Sequence, residues 1–227
     1  MIIAIFNKEN LKQGTCRNIA LDYYASGEYF CFIDSDDIVS PYYLEYLDES
    51  CTCKFILKSY YDQYHFHFAE SVAYEEPLFT HPIKHTAHII CKINEPLYYY
   101  RQNPNGTMLS YMQNYDTIYQ HMLVQLETFN YVKNNFNTND YQYEMELYFL
   151  HSFCYETILF LNIRRLPITT ELFRYMCSVA NMIIPDLLSN PYFGTNGTYQ
   201  HKIIADYINE YNNGVDIDFI ITKLKQY

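Results

Sequence analysis

A short apolar run that ends in an acidic cluster is the feature that most constrains this chain. Residues 29–33 are continuously apolar, as expected of a central strand buried on both faces of a sheet. The sequence Asp34-Ser35-Asp36-Asp37 follows this run directly. In open α/β sheets, ligands usually bind beyond the carboxyl ends of the strands. The sequence therefore predicts a ligand site at the end of an interior strand.

The acidic cluster itself admits two interpretations. Asp34, Asp36 and Asp37 repel one another at this spacing, and a hard divalent ion with oxygen ligands, such as Mg²⁺ or Mn²⁺, relieves that repulsion. One interpretation is therefore a metal ion that bridges to a diphosphate. The other is a solvated turn that caps the following helix, because Asp is common in turns. The cluster alone leaves both open.

The first hundred residues alternate between strand-like and helix-like segments. Residues 2–6, 89–93 and 97–101 are predicted as strands, and residues 17–26 as a helix that Gly27 ends. The pair Ser40-Pro41 is typical of a helix N-terminus. Alternating elements of this kind indicate an α/β layer structure.

The pattern becomes helical after residue 106, and we place a domain boundary near residue 108. Four amphipathic helices are predicted beyond it, the last of them closed by Gly214. Their apolar faces comprise Tyr115, Ile118, Tyr119, Met122, Leu126 and Phe129; Met145, Phe149, Phe153 and Phe160; Leu172, Phe173, Met176, Val179 and Ile183; and Ile203, Ile204, Tyr207 and Tyr211.

Composition excludes several classes of protein. The formal net charge of −11 repels phosphate backbones, which argues against nucleic-acid binding. The 7 cysteines show no paired framework, and no apolar run is long enough to span a membrane. These features predict a cytoplasmic setting, with peripheral attachment to a membrane left open.

Several motifs in sequence order resemble the core of family-2 glycosyltransferases, which have the GT-A fold. The resemblance extends from about residue 2 to residue 108. It is carried by a small-Arg-Asn helix, a Gly-Glu-Tyr strand entry, the Asp-Ser-Asp-Asp metal motif, a Glu-Asp-like segment and a closing strand. In this chain these are Gly14-Thr15-Cys16-Arg17-Asn18, Gly27-Glu28-Tyr29, Asp34-Ser35-Asp36-Asp37 with Pro41, Glu75-Glu76-Pro77-Leu78-Phe79 and Glu95-Pro96-Leu97-Tyr98-Tyr99-Tyr100-Arg101.

The resemblance implies a fold and a reaction. The fold would be a partial GT-A mixed sheet over residues 1–108, the metal and acceptor side, followed by a helical region over residues 109–227. The reaction would be metal-dependent, inverting transfer of a sugar from a nucleotide-sugar donor to a glycan or glycoconjugate acceptor, in polysaccharide or glycoconjugate synthesis.

The resemblance also implies metal and donor ligands. Asp34 and Asp36 match the Asp-x-Asp pair that would hold Mn²⁺ or Mg²⁺ and the donor's diphosphate, with Asp37 beside them. Arg17 and Asn18 would order the acidic loop, residues 34–37, or the side of the site that faces the donor's phosphates.

Two further residues complete the implied site. Glu76 falls where the family has the Asp proposed as general base, and Arg101 could reach the phosphate or the acceptor. Glu at the position of the base is one methylene longer than Asp, and a shift of about 1 Å at a reacting centre can cost about a hundredfold in rate.

A complete member of the family has a nucleotide-binding half before the Arg-Asn helix, so we expect this chain to be an N-terminally incomplete member that lacks that half. This leaves an alternative open: a truncated, non-catalytic binding or interaction module that a partner chain completes. An uncovered sheet edge invites pairing, so we also expect a homo-oligomer, a partner subunit or coverage by the C-terminal helices.

The histidines suggest a zinc site only weakly. His81, His85 and His88 have helical spacing, and His65 and His67 have strand spacing. A zinc site needs three or four converging ligands, and Pro82 and the lack of a nearby Cys argue against one. Isolated surface or partly buried histidines are the simpler interpretation.

Overall fold

The structure is a computed structural model that describes residues 4–39, 54–88, 98–99, 101, 114–193 and 199–225. The chain divides into two compact units, residues 1–107 and 108–227. Within the described ranges it is mostly helical, with two two-stranded sheets in the first unit. The roles predicted for the two domains stay predictions.

The first unit contains short strands and three helices. The helices are α1 (Lys12–Tyr23), α2 (Lys58–Tyr64) and α3 (Glu76–Thr86), and the strands are β1 (Tyr29–Phe30), β2 (Ile38–Val39), β3 (Ile56–Leu57) and β4 (Tyr98–Tyr99). Strand β1 pairs antiparallel with β3, and β2 pairs antiparallel with β4. The acidic loop therefore connects two strands that belong to different small sheets.

Aromatic rings form the core of the first unit. Phe68 and Phe79 are fully buried and stacked, with ring centroids 4.1 Å apart. Phe32 packs edge-on against both, at 5.3 Å from Phe68 and 6.0 Å from Phe79. Aromatic pairs in these arrangements stabilise a core beyond the area they bury. Because Phe32 stands two residues before Asp34, this core lies directly beneath the start of the acidic loop.

Two strand predictions differ from the structure. The prediction of an interior strand over residues 29–33 is wrong, because only Tyr29–Phe30 is a strand and Tyr29 and Ile33 are 53% and 49% exposed. Phe30 and Phe32 pack inward instead, which is the alternation of a half-buried segment. Residues 4–6 are exposed and form no strand, and the Phe6 side chain, which is 91% exposed, does not pack into a core.

The other helix and strand predictions for this unit are confirmed in part or lie outside the described residues. The helix predicted over residues 17–26 is confirmed in part, because α1 begins earlier, at Lys12, and ends at Tyr23, before Gly27. Strand β4 confirms part of the strand predicted over residues 97–101. The strand predicted over residues 89–93 and the helix start predicted at Ser40-Pro41 lie outside the described residues.

The second unit is helical wherever the structure describes it. Its helices are α4 (Tyr115–Asn135), α5 (Gln142–Phe149), α6 (Glu156–Arg164), α7 (Thr170–Ile183), α8 (Tyr199–Asn212) and α9 (Ile217–Leu224), with a π-helix (Leu150–Tyr155) joining α5 to α6 and short 3-10 turns at Asn139–Tyr141 and Leu187–Ser189. The side chains of Asn114, Thr169 and Asp216 cap α4, α7 and α9 by accepting backbone N–H hydrogen bonds.

The apolar faces predicted for these helices form one core. Met122, Phe149, Phe153 and Leu172 are fully buried in it. The four predicted helices are confirmed, the second of them as α5 and α6 joined by the π-helix. The π-helical turn and α9 were not predicted. Of the helices in the described ranges, none is both long and apolar enough to cross a membrane.

Candidate functional site

Arg17 lies at the centre of the candidate site. Its Nη2 donates to Asp34 Oδ1 at 3.0 Å, and its Nη1 lies 3.0 Å from Glu75 Oε1 and 3.4 Å from Glu76 Oε1. A single guanidinium on α1 thus joins the acidic loop to the first turn of α3. The structure brings together Asp34 and Glu76, two residues that the sequence analysis placed in one site from motifs 42 residues apart.

The aromatic core holds this guanidinium in place. Arg17 is buried, and its guanidinium carbon lies 5.4 Å from the centroid of the Phe32 ring and 5.2 Å from that of Phe68. Arginine suits such a position because its planar group stacks on rings while its rigid fork of donors binds carboxylates. The rings therefore fix the direction in which the guanidinium meets its carboxylates.

Gly14 allows α1 to approach the opposite segment closely. A Cβ at this position would lie 2.2 Å from the carbonyl oxygen of Ala69 and 2.8 Å from Glu75 Cβ. Side chains cannot occupy such a space unless the backbone moves. Arg17, nearly one turn further along the same helix, reaches Glu75 because of this close approach.

Asn18, the second residue of the Arg-Asn motif, forms hydrogen bonds with residues 68–70. Its Nδ2 donates to the carbonyl oxygen of Phe68 and to Glu70 Oε1, and its Oδ1 accepts from the Phe68 N–H at 2.9 Å. These hydrogen bonds fix residues 68–70 beneath α1. Asn18 therefore stabilises residues 68–70, which lie next to Arg17, and its hydrogen bonds do not go to the acidic loop.

Asp34 is held on one side only. Its Oδ1 accepts from Arg17 Nη2 at 3.0 Å and from Gln13 Nε2 at 2.8 Å, while its Oδ2 takes part in neither bond. Asp36 lies two residues on and is exposed. Of the two predicted metal ligands, the carboxylate of Asp34 is thus fixed and that of Asp36 is exposed.

A second set of contacts closes the acidic loop against β4. Asp37 Oδ2 accepts a short hydrogen bond from the Tyr98 hydroxyl, and Asp37 Oδ1 accepts from the Arg101 N–H at 2.8 Å. The Tyr98 oxygen in turn accepts from the Asp34 N–H at 3.2 Å. Arg101 therefore meets the loop through its backbone. Tyr98 fixes both ends of the loop at once.

The site carries more negative charge than its single guanidinium balances. Burial raises the pKa of Asp34 above its ordinary value even though the Arg17 guanidinium opposes this, and the charges of Asp37 and Glu76 add to the rise. Burial likewise raises the pKa of Glu75, against the lowering effect of Arg17. A further cation at the acidic loop would relieve this excess.

The acidic loop fits a divalent ion that shares its coordination with a ligand. Mg²⁺ and similar ions commonly use one or two carboxylates, with phosphates and water completing the shell. Asp34 and Asp36 supply two carboxylates of this kind. Within the described ranges no three His, Cys, Asp or Glu side chains are arranged to hold an ion.

Three residues of the site escaped the sequence analysis as contributors. Gln13 and Glu75 had a weak signal, because each neighbours a motif residue that was singled out. Tyr98 lies in the closing-strand motif, but in Tyr98-Tyr99-Tyr100 nothing in the sequence distinguishes the hydroxyl that meets Asp37.

Comparison with known proteins gives one match. The model of the family described as Glycosyl transferase family 2 matches residues 1–64, which include Arg17 and the acidic loop. This confirms the resemblance over that segment and indicates glycosyltransferase activity in general. No curated protein and no solved structure matches the chain.

Proposed function

We propose that this chain transfers a sugar from a nucleotide-sugar donor to a hydroxyl of a glycan or glycoconjugate, with inversion and with Mn²⁺ or Mg²⁺. One observation carries the proposal: the Arg17 guanidinium binds Asp34 at one end and Glu76 at the other. A candidate metal ligand and a candidate base are thus both within reach of one buried guanidinium, which supports a site that neutralises a leaving group and accepts a proton. We also propose that the first unit has a GT-A arrangement and that the protein acts in the cytoplasm or at a membrane surface.

Asp34 and Asp36 are the residues that would hold the divalent ion. When bound, the ion supplies neutralisation of the charge on the leaving diphosphate. Asp34 is suited to this because Arg17 and Gln13 fix its Oδ1 and therefore orient its Oδ2. Tyr98 and Arg101 hold Asp37, which keeps the backbone of the loop in position around Asp36.

Glu76 is better placed than Glu75 to accept a proton. The side chain of Glu76 is 39% exposed and 3.4 Å from Arg17, whereas that of Glu75 is 10% exposed and 3.0 Å from it. An acceptor hydroxyl can approach the exposed carboxylate, while the buried one serves to hold the guanidinium. Both stand at the start of α3, so the helix fixes their separation.

The reaction would be a single displacement. The acceptor oxygen forms a bond to the anomeric carbon of the sugar as the bond to the diphosphate oxygen breaks, and the electron pair leaves with the diphosphate. The acceptor's proton passes to Glu76, which acts as general base. One displacement inverts the configuration at the anomeric carbon.

Release of nucleoside diphosphate from a panel of nucleotide sugars tests the proposal. With Mn²⁺ and a mixture of glycan acceptors, we expect one donor to be consumed, and Glu76→Gln to lower the rate by about 10²–10⁴-fold. Glu9→Gln is the matched control, because Glu9 is an exposed glutamate of the same unit.

Two results would count against the proposal. One is equal rates for the Glu76→Gln and Glu9→Gln variants, which would rule out Glu76 as the general base. The other is a wild type that binds nucleoside diphosphate but consumes no donor, which would support the alternative of a non-catalytic glycosyltransferase-like module.

A further inference from the structure

Two histidines on α3 take no part in the proposed sugar transfer. His81 and His85 stand one helical turn apart, and their Nε2 atoms are 3.2 Å apart. Their rings meet edge to face, with centroids 4.7 Å apart. The helix fixes this geometry, because side chains at positions i and i+4 lie on the same face.

We propose that His81 and His85 form a binding site for a divalent transition ion of the Zn²⁺, Ni²⁺ or Cu²⁺ class. Zinc lies about 2.0–2.1 Å from imidazole nitrogens in proteins. An ion at that distance from both Nε2 atoms, 3.2 Å apart, has an N–metal–N angle of about 100°. This angle lies between the octahedral and tetrahedral values, so the separation suits an ion, which would replace the hydrogen bond that now joins the two nitrogens.

The protonation state of the pair favours metal binding. Burial, with the neighbouring charges of His85 and Lys84, lowers the pKa of His81 to about 3, and burial and Lys84 also lower the pKa of His85. These shifts favour the neutral rings, which are the form that binds a metal. His81 is 6% exposed and His85 is partly exposed, so the site would open to solvent on the side of His85.

The site would be incomplete and therefore exchangeable. Among residues with a described position, no group of three His, Cys, Asp or Glu side chains could hold an ion, so within that part of the chain the pair leaves positions for water or added molecules. Structural zinc sites are closed by four protein ligands, whereas open positions are typical of sites that bind a further group. Imidazole prefers Zn²⁺, Cu²⁺ and Ni²⁺, while the carboxylates of the acidic loop prefer Mg²⁺ and Mn²⁺.

A second histidine pair provides the matched control. In the helical unit, His151 Nδ1 and His201 Nε2 are 2.7 Å apart, and His151 Nε2 lies 3.7 Å from Glu156. An ion bound to both nitrogens at this separation would have an angle of only about 80°. Both histidine pairs are hydrogen-bonded, and the separation of His151 and His201 suits an ion less well.

Calorimetric titration of the full chain with Zn²⁺ alone, in excess Mn²⁺ to occupy carboxylate sites, tests the site. We expect His85→Asn to weaken Zn²⁺ binding by at least about tenfold, since losing even an outer-shell partner of a metal ligand costs about 10–100-fold. We expect His201→Asn to leave the affinity unchanged. The proposal is overturned if His85→Asn binds like the wild type, or if His201→Asn abolishes binding.

Lys84 provides a test that does not depend on a histidine variant being folded. Lys84 is exposed, and its charge opposes positive charge on both histidines. Lys84→Gln should therefore strengthen Zn²⁺ binding, on the order of fivefold for one like-charge contact in water. An unchanged or weaker affinity would contradict a site at His81 and His85. Neither titration depends on sugar transfer.

Discussion

Replacing Arg17 by methionine removes the charge around which the candidate site is arranged and keeps most of the side chain's volume. The Arg17 side chain is 8% exposed, and its three carboxylate partners differ in burial. Glu75 is 10% exposed, whereas Asp34 and Glu76 are 30% and 39% exposed. Only Glu75 is therefore left both charged and largely out of water when the guanidinium is removed.

The expected magnitude follows from that difference. Breaking a buried ion pair by removing one partner destabilises a protein by about 3–5 kcal/mol, because the other charge remains unpaired. Since water reaches Asp34 and Glu76, we expect the lower end, about 3 kcal/mol, for Arg17→Met. Neutralising the stranded carboxylate in the Arg17→Met/Glu75→Gln double variant should recover about 1–2 kcal/mol of this loss.

Urea unfolding followed by far-UV circular dichroism and tyrosine fluorescence measures these changes in the free energy of unfolding. Arg17→Lys is the control that keeps the positive charge but loses the planar, forked guanidinium, so its free energy of unfolding should lie between those of the wild type and Arg17→Met. The reasoning is refuted if Arg17→Met lies within about 1 kcal/mol of the wild type, or if Glu75→Gln destabilises the Arg17→Met variant further.

Three further predictions concern the same site. Tyr98→Phe should weaken Mn²⁺-dependent nucleoside diphosphate binding about tenfold in calorimetry, because Asp37 loses its hydroxyl donor, whereas the exposed neighbour Tyr99→Phe should have no effect. Gly14→Ala should lower the free energy of unfolding in urea by about 1–3 kcal/mol, because its Cβ would lie 2.2 Å from a carbonyl oxygen; Gly27→Ala, whose nearest contact would be 3.1 Å, should lose less. Burial raises the pKa of Glu75 above its ordinary value of 4.5, so the stability that Glu75 contributes is complete below pH 4.5 and is lost as pH rises through the raised pKa. In thermal unfolding, Glu75→Gln should therefore gain stability relative to the wild type over that pH range, and parallel pH profiles of the two proteins would contradict the shift.

The sequence predicted the helical unit well because its signal is local. Apolar residues at helical spacing, such as Leu172, Phe173 and Met176 on α7, appear in the structure as one buried face. The interior strand was mispredicted because a continuous apolar run does not reveal which of its residues reach the core. Tyr29 and Ile33 are exposed while Phe30 and Phe32 pack inward, and an all-apolar run conceals this alternation.

The site was predictable only in part. The motifs identified Asp34, Glu76 and Arg17, and the structure joins them through one guanidinium. The contact of Tyr98 with Asp37 depends on the pairing of β2 with β4, which the sequence does not specify. The spacing of His81 and His85 placed both on one helix face, but only coordinates give the 3.2 Å between their nitrogens.

Calorimetric titration of nucleoside diphosphates with and without Mn²⁺ tests the central claim most directly, when the wild type is compared with Asp36→Asn and Glu76→Gln. We expect the wild type to bind only with Mn²⁺, and Asp36→Asn to weaken Mn²⁺ and diphosphate binding together, because the ion links them. Glu76→Gln should bind as the wild type does, since a base that acts on the acceptor lowers the rate without weakening donor binding. The account is contradicted if the wild type binds no nucleoside diphosphate at any Mn²⁺ concentration, or if Asp36→Asn binds as tightly as Glu76→Gln.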